Sequence, residues 1–151
     1  MLSLLDQQSI KSLPKRRQLR RDPLIMLVED DPLAQNLVKQ IVTHKYRHVH
    51  IVDDGQQALI DYVEEAPDIV FLDINIPSLS GDKVLEQLLK IDPDAYVVML
   101  TFAKDHETVS RLVDTGAQGY IAKPFAVAKI MKYIERSPLV KQKEMRRYAS
   151  F

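Results

Sequence analysis

The sequence predicts an α/β fold, a doubly wound parallel sheet of five strands with helices on both faces. Two observations carry that prediction. Five short runs of apolar, largely β-branched residues are each followed by a stretch whose apolar residues recur at helical spacing. Strict strand–helix alternation calls for a parallel sheet joined by right-handed crossovers. The second observation is that some runs stop abruptly in a carboxylate, Ile69-Val70-Phe71-Leu72-Asp73 most plainly, with Pro77 closing the turn. An apolar run bounded by a turn signal reads as a strand buried on both faces. The carboxyl ends of such strands share one edge of the sheet, where open α/β folds place their chemistry.

The elements follow in order. Leu24 to Val28 is the first strand, and it ends in Glu29-Asp30-Asp31. Asp31 as N-cap and Pro32 at the first helical position then start a helix on Leu33, Ala34, Leu37, Val38 and Ile41. Asp31 thereby has a structural task, and Glu29 and Asp30 are left without one. Val49 to Val52 is a short strand, Asp53-Asp54-Gly55 its turn, and Ala58, Leu59, Tyr62 and Val63 the face of a helix ending before Pro67. After Ile69 to Asp73, a loop through Gly81 leads to a helix on Val84, Leu85, Leu88 and Leu89, stopped by Asp92-Pro93. Tyr96 to Leu100 is the fourth strand, ending in Thr101. Asp105 is positioned to cap a helix on Val109, Leu112 and Val113, which Gly116 closes. Gly119 to Ala122 is the last strand, running into Lys123-Pro124-Phe125, and Val127, Ile130, Met131 and Ile134 form the final helix face.

Composition bounds the function. The chain has 151 residues, enough for one domain with spare ends. No apolar run approaches the ~20 residues of a membrane helix, and the amino terminus lacks a signal-peptide pattern. The absence of cysteine excludes disulfides, thiolate chemistry and cysteine zinc sites, and fits a cytoplasmic protein. His44, His48, His50 and His106 have no ligand spacing and are read as surface or boundary residues. The zero net charge conceals an asymmetry: residues 1–22 carry +4, residues 137–151 carry +3, and residues 23–136 carry −7. The first and last stretches read as basic arms, the first with a short helical turn around Leu2 to Leu5, flanking a domain at 23–136.

The shared edge collects Glu29 and Asp30 after the first strand, Asp73 after the third, Thr101 after the fourth and Lys123 after the fifth. Three carboxylates converging without a cation would repel one another by on the order of a few kcal/mol. Oxygen donors without His or Cys select Mg²⁺, with Mn²⁺ as the alternative. A metal, a hydroxyl and an ammonium around one carboxylate form a phosphoryl-transfer arrangement.

Val28-Glu29-Asp30-Asp31-Pro32, Phe71-Leu72-Asp73-Ile74-Asn75-Ile76-Pro77, Leu100-Thr101 and Gly119-Tyr120-Ile121-Ala122-Lys123-Pro124 closely resemble the receiver domain of two-component response regulators. The resemblance covers residues 23–136. It implies a flavodoxin-like sheet of order 2-1-3-4-5 with five helices. It further implies Asp73 as phosphoacceptor, and Asp30, Glu29 (through water) and the Asn75 carbonyl as metal ligands beside it. Thr101 would be the switch hydroxyl, Lys123 the phosphate-pairing lysine, Tyr120 the aromatic that follows the switch, and Lys123-Pro124 a cis bond. The implied protein is a phosphorelay switch that takes its phosphoryl group from a histidine kinase or histidine phosphotransfer protein, and not an enzyme with turnover. Its output would pass to a downstream protein through the face of the fourth helix, fifth strand and fifth helix. With so few residues after 136, the sequence reads as a stand-alone receiver.

One position departs from the family. The residue after the switch hydroxyl is usually small, and here it is Phe102, which could narrow access to the acceptor, slow attack by water or pack outward. Two other functions compete. A haloacid-dehalogenase-type phosphatase would use a similar residue set, but with its nucleophile on the first strand and a second Asp two positions on, where this chain has Asn75. The basic arms admit binding to nucleic acid or another anionic surface, the weaker reading because stacking aromatics there are limited to Tyr148 and Phe151. In a further reading the arms fold back onto the acidic body and screen it.

Overall fold

The computed structural model describes residues 2–102 and 106–149. Its elements are α1 (Leu2–Lys11), α2 (Leu13–Leu19), β1 (Leu24–Val28), α3 (Pro32–Thr43), β2 (His48–Val52), α4 (Gly55–Glu65) and β3 (Ile69–Asp73). Then follow α5 (Gly81–Ile91), β4 (Val97–Thr101), α6 (His106–Thr115), β5 (Gly119–Ala122), α7 (Val127–Arg136) and α8 (Pro138–Ala149). The strands form one parallel sheet of order β2-β1-β3-β4-β5, the flavodoxin-like topology that the sequence predicts. β1, β3 and β4 are buried throughout, and the edge strands β2 and β5 only in part.

Within the central strands the apolar runs divide by parity, because successive side chains point to opposite faces. Met26, Val28, Val70, Leu72, Val97 and Met99 join the layer under α4, α5 and α6. Ile25, Leu27, Ile69, Phe71, Val98 and Leu100 join the layer under α3 and α7. Asp31 caps α3 as expected, its carboxylate accepting from Leu33 N at 3.2 Å. Gly116 closes α6 at φ +130°, a conformation that glycine adopts without steric cost. The Asp105 cap lies outside the described residues.

Several expectations need correction. Leu33, Val113 and Val127 were assigned to buried helix faces but are 80%, 44% and 54% exposed. The buried stripe of α3 begins only at Val38, and that of α7 at Ile130. Among the described residues eight helices stand where five were expected, and the three extra ones lie in the supposed arms. α1 and α2 replace the amino-terminal arm, with Leu13 buried in the core and Ile10 packed against it. α8 replaces the carboxy-terminal tail and buries Val140 and Lys143.

The basic run holds α2 in place because its guanidiniums find carbonyls. The last carbonyls of a helix have no partner within it and carry the negative end of its dipole. Arg16 donates to the Val63 and Glu64 carbonyls at 2.6 and 2.8 Å, and Arg20 to those of Glu65 and Ala66 at 2.9 and 2.6 Å. Arg17 donates to Pro67 O at 2.9 Å and forms a buried ion pair with Asp92, which also accepts from the Tyr62 hydroxyl at 2.7 Å. Fully buried Asp68 collects Arg20 and, from α8, Lys143, each at 3.0 Å. The terminal segments therefore fold back onto the acidic body.

Candidate functional site

Parallel pairing brings the carboxyl ends of four strands together. Asp73 is the last residue of β3 and pairs with Leu100, the residue before Thr101 at the end of β4. Thr101 in turn pairs with Ala122, next to Lys123. Glu29 follows β1, its N–H donating to Val52 O at 2.9 Å and its carbonyl accepting from Gln35 Nε2 at 2.6 Å. Each side chain is thus placed by the strand before it.

One carboxylate oxygen each from Glu29, Asp30 and Asp73 lies within 4.8 Å of the other two. Glu29, Asp73 and Thr101 are buried, and Asp30 is exposed at the mouth. Lys123 reaches in from the far strand, donating to Asp73 at 3.0 Å and to Glu29 by a close hydrogen bond. Backbone amides complete the carboxylates: Asn75 N donates to Asp73 at 3.0 Å, and Asp30 N and Asp31 N donate to Glu29 at 3.0 and 3.3 Å. Asn75 itself is exposed on the loop after Asp73.

Electrostatics within the cluster are strained by burial. Burial pushes the Glu29 carboxyl above its ordinary pKa; the bond from Lys123 lowers it and nearby Asp73 raises it further. For Lys123, burial favours the neutral amine, but hydrogen bonds and charge from Glu29 and Asp73 outweigh it and leave the ammonium above the usual lysine range.

The structure brings together the predicted Glu29, Asp30, Asp73, Thr101 and Lys123. Tyr120 stands apart on β5, pointing outward and 43% exposed. Lys123–Pro124 is cis, as the resemblance implies. Phe102 is 69% exposed, with its ring 5.2 Å from the Lys123 ammonium. His44, His48 and His106 are exposed, and half-buried His50 pairs with Asp61 at 2.7 Å.

Two contributors escaped sequence reasoning. Phe125 stands 5.7 Å from the same ammonium, so Lys123 lies near two aromatic rings. Its position two residues after the lysine was the available signal. Gly81 packs behind the end of β3, where a Cβ would meet Asp73 O at 2.3 Å and Ile74 Cα at 2.7 Å. Its N–H donates to Ile74 O at 2.8 Å, and Gly55 N ties the same loop down through Pro77 O at 2.9 Å. Only the end of the loop was legible there, because close backbone approach leaves no local pattern.

Comparison with known proteins agrees with this geometry. Residues 25–135 match the response regulator receiver domain family. The probable C4-dicarboxylate response regulator DctR of Bacillus subtilis is 32% identical over 127 residues, covering 82% of this chain. This chain spans only 56% of that relative's length. Chemotaxis protein CheY of Halobacterium salinarum is 30% identical over 110 residues, 73% of this chain and 92% of the relative. Among solved structures, the receiver domain of sensor histidine kinase PA1611 from Pseudomonas aeruginosa superposes with a TM-score of 0.70 at 25% identity, covering 77% of this chain and 97% of that one. That structure has a magnesium ion coordinated in its active site cleft. Sheet order, strand-end cluster and sequence match agree: this chain belongs to the receiver domain family of two-component phosphorelay switches.

Proposed function

We propose that Asp73 is the phosphoacceptor of this receiver and that Glu29, Asp30, Thr101 and Lys123 serve its phosphorylation. The observation that carries the reading is the convergence of three carboxylates on one edge with the Lys123 ammonium bonded to Asp73. Asp73 Oδ1 is engaged by the Asn75 amide and Oδ2 by Lys123, so the carboxylate is oriented before a donor arrives. Nucleophilic attack by a carboxylate oxygen on a phosphohistidine forms the acyl phosphate and releases the imidazole of the donor, a histidine kinase or histidine phosphotransfer protein. Lys123 exchanges its bond to the carboxylate for one to a transferred oxygen, and the Thr101 hydroxyl donates to another.

The donor set fits a hard divalent cation. Three carboxylates against one ammonium leave two negative charges uncompensated, and every donor is oxygen. Glu29, Asp30, Asp73 and the Asn75 carbonyl would hold Mg²⁺, or Mn²⁺ in its place, and when bound it supplies positive charge to the phosphoryl oxygens. The relative with magnesium in its cleft supports that assignment.

Movement of Thr101 onto the phosphoryl group frees room for Tyr120 to turn inward from its exposed position. The face of α6, β5 and α7 then presents a changed surface to a downstream protein, in a pre-existing two-state equilibrium. Asp73→Asn removes the nucleophile with little change of shape. Labelling by a phosphodonor is expected to vanish in that variant, and undiminished incorporation would refute the assignment.

A further inference from the structure

The pole opposite Asp73 carries a cleft of about 950 Å³ between α2, α8 and the amino-terminal edge of the sheet. Its walls are largely apolar, with Leu89, Pro93, Tyr96, Pro138 and Leu139 among them, and Arg136 and Arg146 stand at its rim. A smaller hollow of about 410 Å³ adjoins it, sharing Lys143 and Arg146 and adding Arg21 and the 75% exposed Leu19.

Not every cation here is available. Arg17, Arg20 and Lys143 are committed to Asp92 and Asp68, and Arg147 pairs with Asp22. Arg21, Arg136 and Arg146 form no ion pair among the described residues, and Arg146 spends one N–H on Gln18 O at 3.1 Å. Arg136 and Arg146 thus line the apolar cleft beside one carboxylate, Asp94, and Arg21 lines the adjoining hollow.

We propose that this cleft is a docking groove for an acidic segment of a partner protein that also carries apolar anchor side chains. Both halves of the site are then used: carboxylates meet the planar guanidinium forks, and leucine-like side chains fill the floor. Nucleic acid fits less well. Three free cations neutralise about three phosphates, well short of the roughly six to ten contacts behind strongly salt-dependent binding, and the apolar floor would stay empty. A bilayer is flat and cannot reach that floor. No groove residue belongs to the Asp73 cluster, so the proposal is independent of the acceptor assignment.

The test uses the full chain and fluorescence anisotropy with a labelled peptide of about ten residues, two leucines among glutamates. Binding is expected, and it should weaken by at least about tenfold in the Arg136→Glu/Arg146→Glu variant. A version of the peptide with serine for leucine should weaken comparably. Both arginines are exposed; circular dichroism checks the fold, and the corresponding glutamine pair serves if charge reversal unfolds the chain. Amide resonances of Tyr96, Gly116 and Gln118 should shift on binding. Absence of binding, equal affinity in the variants, indifference to the leucines, or tighter binding of short duplex DNA or phosphatidylserine vesicles would each overturn the proposal.

Discussion

At the scale of single residues, the proposed acceptor edge turns on what surrounds Lys123. Its ammonium bridges Glu29 and Asp73 and has Phe102 at 5.2 Å and Phe125 at 5.7 Å. A cation near an aromatic ring gains about 0.5–1 kcal/mol, so both rings steady the lysine. Phe102→Ala should open the approach to small phosphodonors. Phosphorylation by acetyl phosphate is expected to quicken about three- to tenfold, the rate equivalent of roughly 1 kcal/mol; equal rates for both proteins would leave the ring without a gating role. Gly81 sets the other limit. An alanine there gains about 0.5–1 kcal/mol of helix propensity, but its Cβ would lie 2.3 Å from Asp73 O. The clash dominates, and Gly81→Ala should lose about 1–3 kcal/mol in urea unfolding.

At the scale of elements, α2 shows why charge runs deceive. Lys15 to Arg21 has the composition of a solvated arm, yet three of its arginines close the carboxyl end of α4. Arg17 also holds Asp92 in a nearly dry pocket with Tyr62, whose phenol is kept protonated far above its usual range, first by burial. Removing one partner of a buried pair costs about 3–5 kcal/mol, whereas replacing both by apolar residues is often neutral. Arg17→Met should therefore destabilise by that amount in chemical denaturation, and Arg17→Met/Asp92→Leu should recover most of it. An additive loss in the double variant would contradict the pairing.

The same element explains what could be read beforehand. β1, β3 and β4 were legible because burial on both faces writes an uninterrupted apolar run. The strand-end cluster followed, since side chains at strand ends inherit their position from the strands. α2 was not legible because its partners lie 45 to 75 residues away. Pro14, early in α2, and Pro138, first in α8, were the missed starts; the same proline signal had located α3. Leu33 failed differently, as an apolar residue at helical spacing that no neighbouring element covers.

For the whole molecule, the division of charge becomes a division of labour. The −7 body receives +4 and +3 from its two ends, and part of that charge is delivered to Asp68 and Asp92 inside the fold. Deleting residues 137–151 would uncover the site of Val140 and remove one cation from Asp68. The loss should be about 3–5 kcal/mol, or a fall in Tm of roughly 10 °C at 2–4 °C per kcal/mol. Thermal unfolding unchanged by the deletion would make α8 an ornament.

The long reach of these contacts also orders events in time. Lys143 meets Asp68 across 75 residues, and Arg147 meets Asp22 across 125. Domains fold as the chain emerges during synthesis, and contacts between distant residues form late. Every residue of the Glu29–Asp73–Lys123 cluster has been made by position 123, with α7 and α8 still to come. Both poles are thus closed by long-range contacts, Lys123 meeting Glu29 across 94 residues much as Lys143 meets Asp68 across 75, so neither pole is complete until most of the chain has been made.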